Sequence, residues 1–306
     1  MSALITGSMA YDTIMVYPGE FKDSILPDKV HMLNVAFLVP ELRREFGGCA
    51  GNIAYNLHLL GGAGRALATV GADFAPYAAH WQAHGIDRSG LLEIEEAFTA
   101  QAFITTDLKD NQITAFHPGA MNAAHRQSIP TDGSVTLGTV SPDGREGMLQ
   151  HAREFAQAGI PFLFDPGQGL PMFNGEELLQ FIDQATWVAV NDYEAQMIVE
   201  RTGLTVEALA ERVQAFVVTR GGEGSRIHAA GRVHEIPAAR PDAIVDPTGC
   251  GDAYRAGLLY GLLKGLDWER TGRIASLLGA IKIAHAGTQN HHVTAEAFFA
   301  RLETAF

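Results

Sequence analysis

Short apolar runs and helical apolar spacing alternate along most of the chain. Leu4-Ile5-Thr6-Gly7-Ser8 has the form of a buried strand closing on small residues. From Asn52 to Leu60 the apolar positions recur at helical spacing and stop at Gly61-Gly62. Arg65–Val70 predicts the next strand and Pro76–His84 the next helix. Beyond Ser134 the alternation is regular. Strands are predicted at Val135–Val140, Phe162–Asp165, Trp187–Val190, Phe216–Thr219 and Arg226–His228. Helices are predicted at Gly144–Ala158, Gly175–Gln184, Tyr193–Arg201 and Val206–Val213, then at Ala253–Leu263, Trp268–Ala284 and Ala295–Leu302. Repeated strand–helix units in a mostly apolar chain imply an α/β fold: a mostly parallel sheet covered by helices on both faces.

Two stretches depart from this rhythm. Between Tyr11 and Phe46 the pattern loosens, with Pro18, Pro27 and Pro40 dispersed among short apolar runs. From Ala97 to Phe116, Thr99 and Phe103–Thr106 give one β-rich run and Ile113–Phe116 another. The Asp110-Asn111 turn between them predicts a hairpin. These two segments are expected to form a small β lid, or an interface, over the ligand edge of the main sheet. No internal repeat or low-complexity segment is present.

Composition narrows the function classes. The 306 residues carry 22 basic and 35 acidic side chains, a net charge of −13 spread without a charged tail. Nucleic acid, which needs a basic footprint, is therefore not an expected partner. Cys49 and Cys250 form no Cys-x-x-Cys pair, and the twelve histidines, His291-His292 included, show no ligand spacing. Met1–Asp12 lacks the basic start and apolar run of a signal peptide. Arg273 and Lys282 interrupt the best candidate for the roughly 18 apolar residues a membrane span needs. A cytoplasmic location with no membrane partner is the expectation.

The candidate chemistry lies at Asp246-Pro247-Thr248-Gly249-Cys250-Gly251-Asp252, directly ahead of the helix predicted from Ala253. Two carboxylates bracket a glycine turn whose amides open a helix. That arrangement suits holding a phosphoryl group while a base removes a proton beside it. The amides of residues 249 to 252 are the candidate donors. A competing reading makes Asp252 a helix cap, as Asp often is. Glycine on both sides of Cys250 favours backbone that must approach a ligand. Neither a Walker A pattern nor Gly-x-Gly-x-x-Gly occurs, so phosphate binding rests on this turn.

Asp246 to Gly257 resembles the C-terminal signature of the ribokinase (PfkB-type) family of sugar and nucleoside kinases. Gly47-Gly48-Cys49-Ala50-Gly51-Asn52-Ile53-Ala54 and Leu59-Leu60-Gly61-Gly62 resemble its N-terminal signature. Asn191-Asp192-Tyr193-Glu194 matches its Asn-x-x-Glu motif, and Val218-Thr219-Arg220-Gly221-Gly222 its nucleotide-side strand and turn. Within the family the bacterial adenosine-kinase branch is most similar, through Gly7–Asp12, Met15–Phe21, Phe37-Leu38-Val39, Phe116–Met121 and Phe164–Gln168. The resemblance implies a ribokinase-like three-layer fold. Residues 1–11, 48–96 and 119–306 would make the large domain, and 12–47 and 97–118 the lid. Phe37, Val39 and Phe103 suggest a homodimer through that lid.

The activity implied is transfer of the γ-phosphoryl group of ATP to the 5′-hydroxyl of a ribonucleoside, with adenosine foremost. A sugar kinase acting on ribose, fructose or a deoxy-keto acid is the alternative, and a catalytically silent nucleoside-binding protein the alternative of another class. Asp252 would be the base, with Gly249, Cys250 and Gly251 lining the anion hole. Ser8, Asp12, Gly48, Asn52 and Gln168 would meet the nucleoside, Asp12 and Asn52 at the ribose hydroxyls, and Phe103 and Phe116 would sandwich the purine. His117 is a further candidate for substrate contact. Asn191, Thr219, Gly221 and Gly222 would take the ATP side, and Glu194 would organise Mg²⁺ through water. Asp246 and Thr248, with carbonyls near 286–288, would hold a monovalent cation such as K⁺. Each role has a structural rival: Asp12 as a turn residue, Asn52 as a cap, the two phenylalanines as core or interface, and Asn191 with Glu194 as a capping box. Cys250 departs from the family, which has a small residue such as Ala there. A thiol at a helix N-terminus is expected to have a lowered pKa and to be reactive.

Overall fold

The computed structural model describes residues 2–25, 32, 34–109 and 111–306, so Pro27 and Asp110 lie outside the described residues. In chain order, β1 (Ala3–Thr6), β2 (Ala10–Val16), the single-turn α1 (Phe21–Ser24) and β3 (Glu41–Gly47) precede α2 (Cys49–Leu59). Then come β4 (Gly64–Gly71), α3 (Ala75–His84), β5 (Leu91–Ile94) and the antiparallel pair β6 (Ala100–Thr106) and β7 (Gln112–His117). A run of alternating elements follows: β8 (Leu137–Val140), α4 (Arg145–Ala158), β9 (Phe162–Phe164), α5 (Gly175–Gln184), β10 (Trp187–Asn191), α6 (Asp192–Thr202), α7 (Val206–Ala210) and β11 (Ala215–Thr219). The chain ends with β12 (Ser225–Ala229), β13 (Arg232–Ile236), α8 (Cys250–Lys264), α9 (Trp268–Ile283) and α10 (Ala295–Leu302).

Nine strands form one sheet in the order β13-β12-β11-β10-β9-β8-β1-β4-β5. It is parallel from β11 to β5, and β12 and β13 close one edge antiparallel. Because neighbouring strand residues face opposite ways, β1, β4 and β8 to β11 each feed both cores. Ala3 and Ile5 join Ile53, Trp81, Leu258, Leu277 and Phe298 on the face of α2, α3, α8, α9 and α10. Leu4 between them joins Phe155, Phe162, Phe181, Ile198 and Phe216 on the face of α4 to α7. The α/β expectation holds.

A second, four-stranded sheet has the order β3-β2-β6-β7. Its strands come from the two segments whose pattern loosens, and the predicted hairpin is β6–β7. Two of its four strands, β3 and β7, carry charged or exposed positions on both faces, which hides the period of two. β5 and β13 are additions to the sequence reading. β13 pairs with β12 through a two-residue turn at Ala230-Gly231, both at positive φ (50° and 70°). Such turns favour Asn-Gly or Asp-Gly, so Ala-Gly gave little signal.

Helix α8 is fixed by close packing on α9. A Cβ at Gly257 would lie 2.4 Å from the Cα of Ala275, so the two helices meet backbone to backbone. This places the start of α8 over the carboxyl ends of β9 and β10, the edge where ligands bind in open α/β sheets.

Candidate active site

Two helix N-termini converge at that edge. The first belongs to α2, whose N-cap is Gly48 rather than Asn52. Gly48 has φ +87°, and a Cβ there would lie 2.5 Å from the carbonyl oxygen of Ser8, so only glycine fits. Ser8 answers the helix start: its Oγ accepts from Cys49 N (3.1 Å) and its carbonyl from Ala50 N (3.0 Å). Asn52 therefore sits inside the helix, and its side chain reaches the second N-terminus. Its Nδ2 donates to Asp252 Oδ2 at 2.8 Å.

That second N-terminus is α8, capped by Gly249 in the left-handed region (φ +77°). Of the four candidate amides, Cys250 N is already bonded to Pro247 O (3.1 Å), which corrects its place among the anion donors. Among the described residues, the amides of Gly249, Gly251 and Asp252 have no protein acceptor, and they form the usable cradle. Asp252 stands in the first turn beside them. Burial pushes its pKa up to about 7; the bond from Asn52 holds it down, as do Arg255 and the Cys49 thiol, while Asp165 pushes it further up. A base poised there suits proton abstraction at neutral pH.

Arg255, one turn further on, escaped the sequence reading. It is buried, donates to Asp165 Oδ1 (3.0 Å) and Ala189 O (3.1 Å), and lies 3.7 Å from Glu194. The guanidinium is thus the counter-charge for Asp165, Glu194 and Asp252 at one sheet edge, and it could have been suspected from its place in the same motif. Gln289 also escaped. Its Nε2 donates to Asn52 Oδ1 (3.0 Å) while its Oε1 accepts from Trp81 Nε1 (3.2 Å), which fixes the Asn52 amide with its nitrogen toward Asp252. Gln289 Nε2 also meets the Tyr77 hydroxyl, which donates to Gly47 O at 2.8 Å.

Asp12 projects from β2 with no hydrogen-bond partner among the described residues. Burial, then Asp246 and Glu45, push its pKa up to about 6. An unpaired carboxylate of this kind can accept hydrogen bonds from two hydroxyls. The phenylalanine sandwich fails on register. Phe116 aligns with Ala102, which aligns with Asp12, so these share one face; Phe103 aligns with Thr13 and Ala115 on the other. Phe116 can meet a ligand beside Asp12, and Phe103 cannot face it across a base. Gln168 is exposed in the 3₁₀ turn Gly167–Met172 after β9, and His117 ends β7.

On the other side of α8 lies a cleft of about 440 Å³. Thr219, Gly221 and Gly222 line it from β11 and its turn, Cys250 and Gly251 from the cradle, and Ala280 from α9. Asn191 and Glu194 realise the capping box: Asn191 Oδ1 accepts from Glu194 N (2.7 Å) and Glu194 Oε2 from Asn191 N (2.8 Å). Glu194 Oε1 has no hydrogen-bond partner among the described residues, so the pair fits a role toward hydrated Mg²⁺ on bound phosphates. At the monovalent-cation site expected from Asp246 and Thr248, a lysine ammonium already stands: Lys282 Nζ donates to Asp246 O (2.7 Å) and His285 O (3.3 Å), while Thr248 N and Gly287 N, each at 2.9 Å, donate to the Asp246 carboxylate. The reactive-thiol expectation for Cys250 is also overturned. Burial raises it to about 11; the Lys282 ammonium favours a thiolate, and Asp246 and Asp252 oppose one.

The model of the pfkB family of carbohydrate kinases matches residues 6–295. The chain belongs to that family. As a pfkB-family protein it is a phosphotransferase with an alcohol acceptor. A nucleoside kinase of Methanocaldococcus jannaschii is 33% identical over 273 residues, covering 88% of this chain and 89% of that one. The nucleoside kinase of Burkholderia thailandensis, solved in complex with inosine, is 51% identical with a TM-score of 0.90, covering 99% of this chain and 98% of that one. The same enzyme has been solved in complex with ADP-inosine, at 52% identity and TM-score 0.88, covering 99% and 96%. Among the described residues, no helix of this pfkB-family chain is long and apolar enough to cross a membrane.

Proposed function

We propose that this kinase transfers the γ-phosphoryl group of ATP to the 5′-hydroxyl of a purine ribonucleoside, with adenosine and inosine the first acceptors to test. The observation that carries it is Asp252, a carboxyl raised to about 7 beside three unbonded amides and held by Asn52. Asp12 and Phe116, on one face of the small sheet, supply groups for a ribose diol and a base. The nucleoside-kinase relatives support the same acceptor class.

In this reading Asp12 accepts the ribose hydroxyls and orients the sugar so that its 5′-oxygen meets Asp252. Asp252 takes the hydroxyl proton as the oxygen attacks the phosphorus in line. The amides of Gly249, Gly251 and Asp252 hold the equatorial oxygens of the transferring group, and the positive end of α8 favours that charge. Nucleotide fills the cleft from Thr219 to Ala280. Mg²⁺, organised through water by Glu194, would neutralise phosphate charge. The small sheet acts as a lid hinged at Gly47-Gly48, excluding water from the reaction. Exposed Leu42, Phe103 and Ile113 on that sheet suit a lid-mediated homodimer, which the mass in solution would test.

Purified protein with γ-labelled ATP and a panel of adenosine, inosine, guanosine, 5′-deoxyadenosine, ribose and fructose decides the matter. Label should pass to the purine ribonucleosides and not to 5′-deoxyadenosine. Faster transfer to ribose or fructose would favour a sugar kinase, and binding of nucleoside without transfer a silent sensor.

A further inference from the structure

Lys282 lies near the end of α9 and is wholly shielded from solvent. Its Nζ donates to two main-chain carbonyls, Asp246 O at 2.7 Å and His285 O at 3.3 Å. The same contact zone ties the loop ahead of α8 to the end of α9, since Val245 N and Asp246 N both donate to Ile283 O (2.9 and 3.1 Å). A buried ammonium persists only where acceptors and negative charge surround it. Here the two carbonyls, the negative end of α9, and the carboxylates of Asp246, Asp252 and Glu45 do so.

A dehydrated monovalent cation asks for the same surroundings, a cage of carbonyl and carboxylate oxygens. In this chain an ammonium already stands among such oxygens: Nζ holds the carbonyls of Asp246 and His285, and two amides hold the Asp246 carboxylate. We propose that the Lys282 ammonium is the built-in cation of the anion-hole loop, a positioning residue that makes turnover independent of K⁺. It holds the Asp246 carbonyl, and through it the register of the turn that aims the amides of Gly249, Gly251 and Asp252. The proposal rests on reading those amides as the phosphoryl cradle, but its structural half can be measured without turnover.

The test compares wild type and Lys282→Ala in KCl, NH₄Cl, NaCl and tetramethylammonium chloride at one ionic strength, by melting temperature and by kinase rate. Wild type should melt at the same temperature and turn over at the same rate in all four. Lys282→Ala should lose roughly 10- to 100-fold in kcat in tetramethylammonium, and K⁺ or NH₄⁺ should restore both kcat and melting temperature. Lys282→Met, which fills the space without charge, should lose rate and gain nothing from K⁺. A K⁺-specific rise in wild-type melting temperature or rate would overturn the proposal. So would a folded Lys282→Ala protein whose melting temperature is indifferent to K⁺. Absence of any wild-type turnover, with the cation-specific melting behaviour intact, would instead count against the kinase reading.

Discussion

Replacing Asp252 by Asn keeps the shape of the side chain and removes its basicity. Asn52 donates its Nδ2 to Asp252 Oδ2 at 2.8 Å, and Asn offers an oxygen at the same place, so the bond can persist and the two helix starts stay docked. Removing a positioned general base costs about 10²- to 10⁴-fold in kcat, with the nucleoside KM little changed because Asp12 is untouched. The wild-type rate should rise with pH through about 7 as Asp252 ionises, and this limb should vanish in the variant. Stability should move the other way. The folded pKa of about 7 lies above the ordinary 3.8, so the contribution of Asp252 to stability is full below about pH 3.8 and is lost as pH rises through 7. At pH 8 the wild type carries a buried charge that Asn lacks, and the variant should melt higher, by about 2–4 °C for each kcal/mol recovered. At pH 4 the advantage should disappear. A steady-state pH profile and melting curves at pH 4 and 8 read both effects. Near-normal kcat would place the base elsewhere, and a melting difference equal at both pH values would refute the burial argument.

Gln289→Leu removes the group that fixes the Asn52 amide, so Asp252 should lose its best donor. We expect kcat to fall about tenfold and the acid limb to move above pH 7; an unmoved limb would show that Asn52 orients itself. Gly48→Ala forces a positive φ and a Cβ 2.5 Å from Ser8 O. It should destabilise by about 1–3 kcal/mol in urea unfolding, and an unchanged midpoint would mean the turn can shift freely. Cys250, raised to about 11, and Cys49, raised by burial, should both react with a maleimide far more slowly at pH 7.5 than in urea. Fast native labelling of one thiol would contradict this.

What the sequence made legible was local. The strand–helix alternation beyond Ser134 predicted the sheet because β8 to β11 are buried on both faces. The Asp246–Asp252 turn predicted an anion cradle because Gly249 and Gly251 leave backbone exposed. The small sheet was harder, since Glu41-Leu42-Arg43-Arg44-Glu45 gives β3 almost no apolar period. A strand at the rim of a two-sided sheet needs none.

Partners across the fold were illegible for a different reason. Asn52 looked like a cap because Asn often is one; its actual partner, Asp252, is 200 residues away, and Gln289 is 237 away. Spacing rules describe neighbours on one element and are silent about what two helix starts do when a sheet brings them together. The error over Cys250 has the same origin. Helix position alone argues for a thiolate, but burial, with Asp246 on the loop and Asp252 on the same helix, raises the thiol despite Lys282. The monovalent site erred oppositely, because the oxygens of Asp246 and the nearby carbonyls are all present, and Lys282, read only as a break in an apolar run, brings its ammonium to them. A motif therefore fixes where the chemistry sits, while the charges that tune it are chosen by the packing behind it.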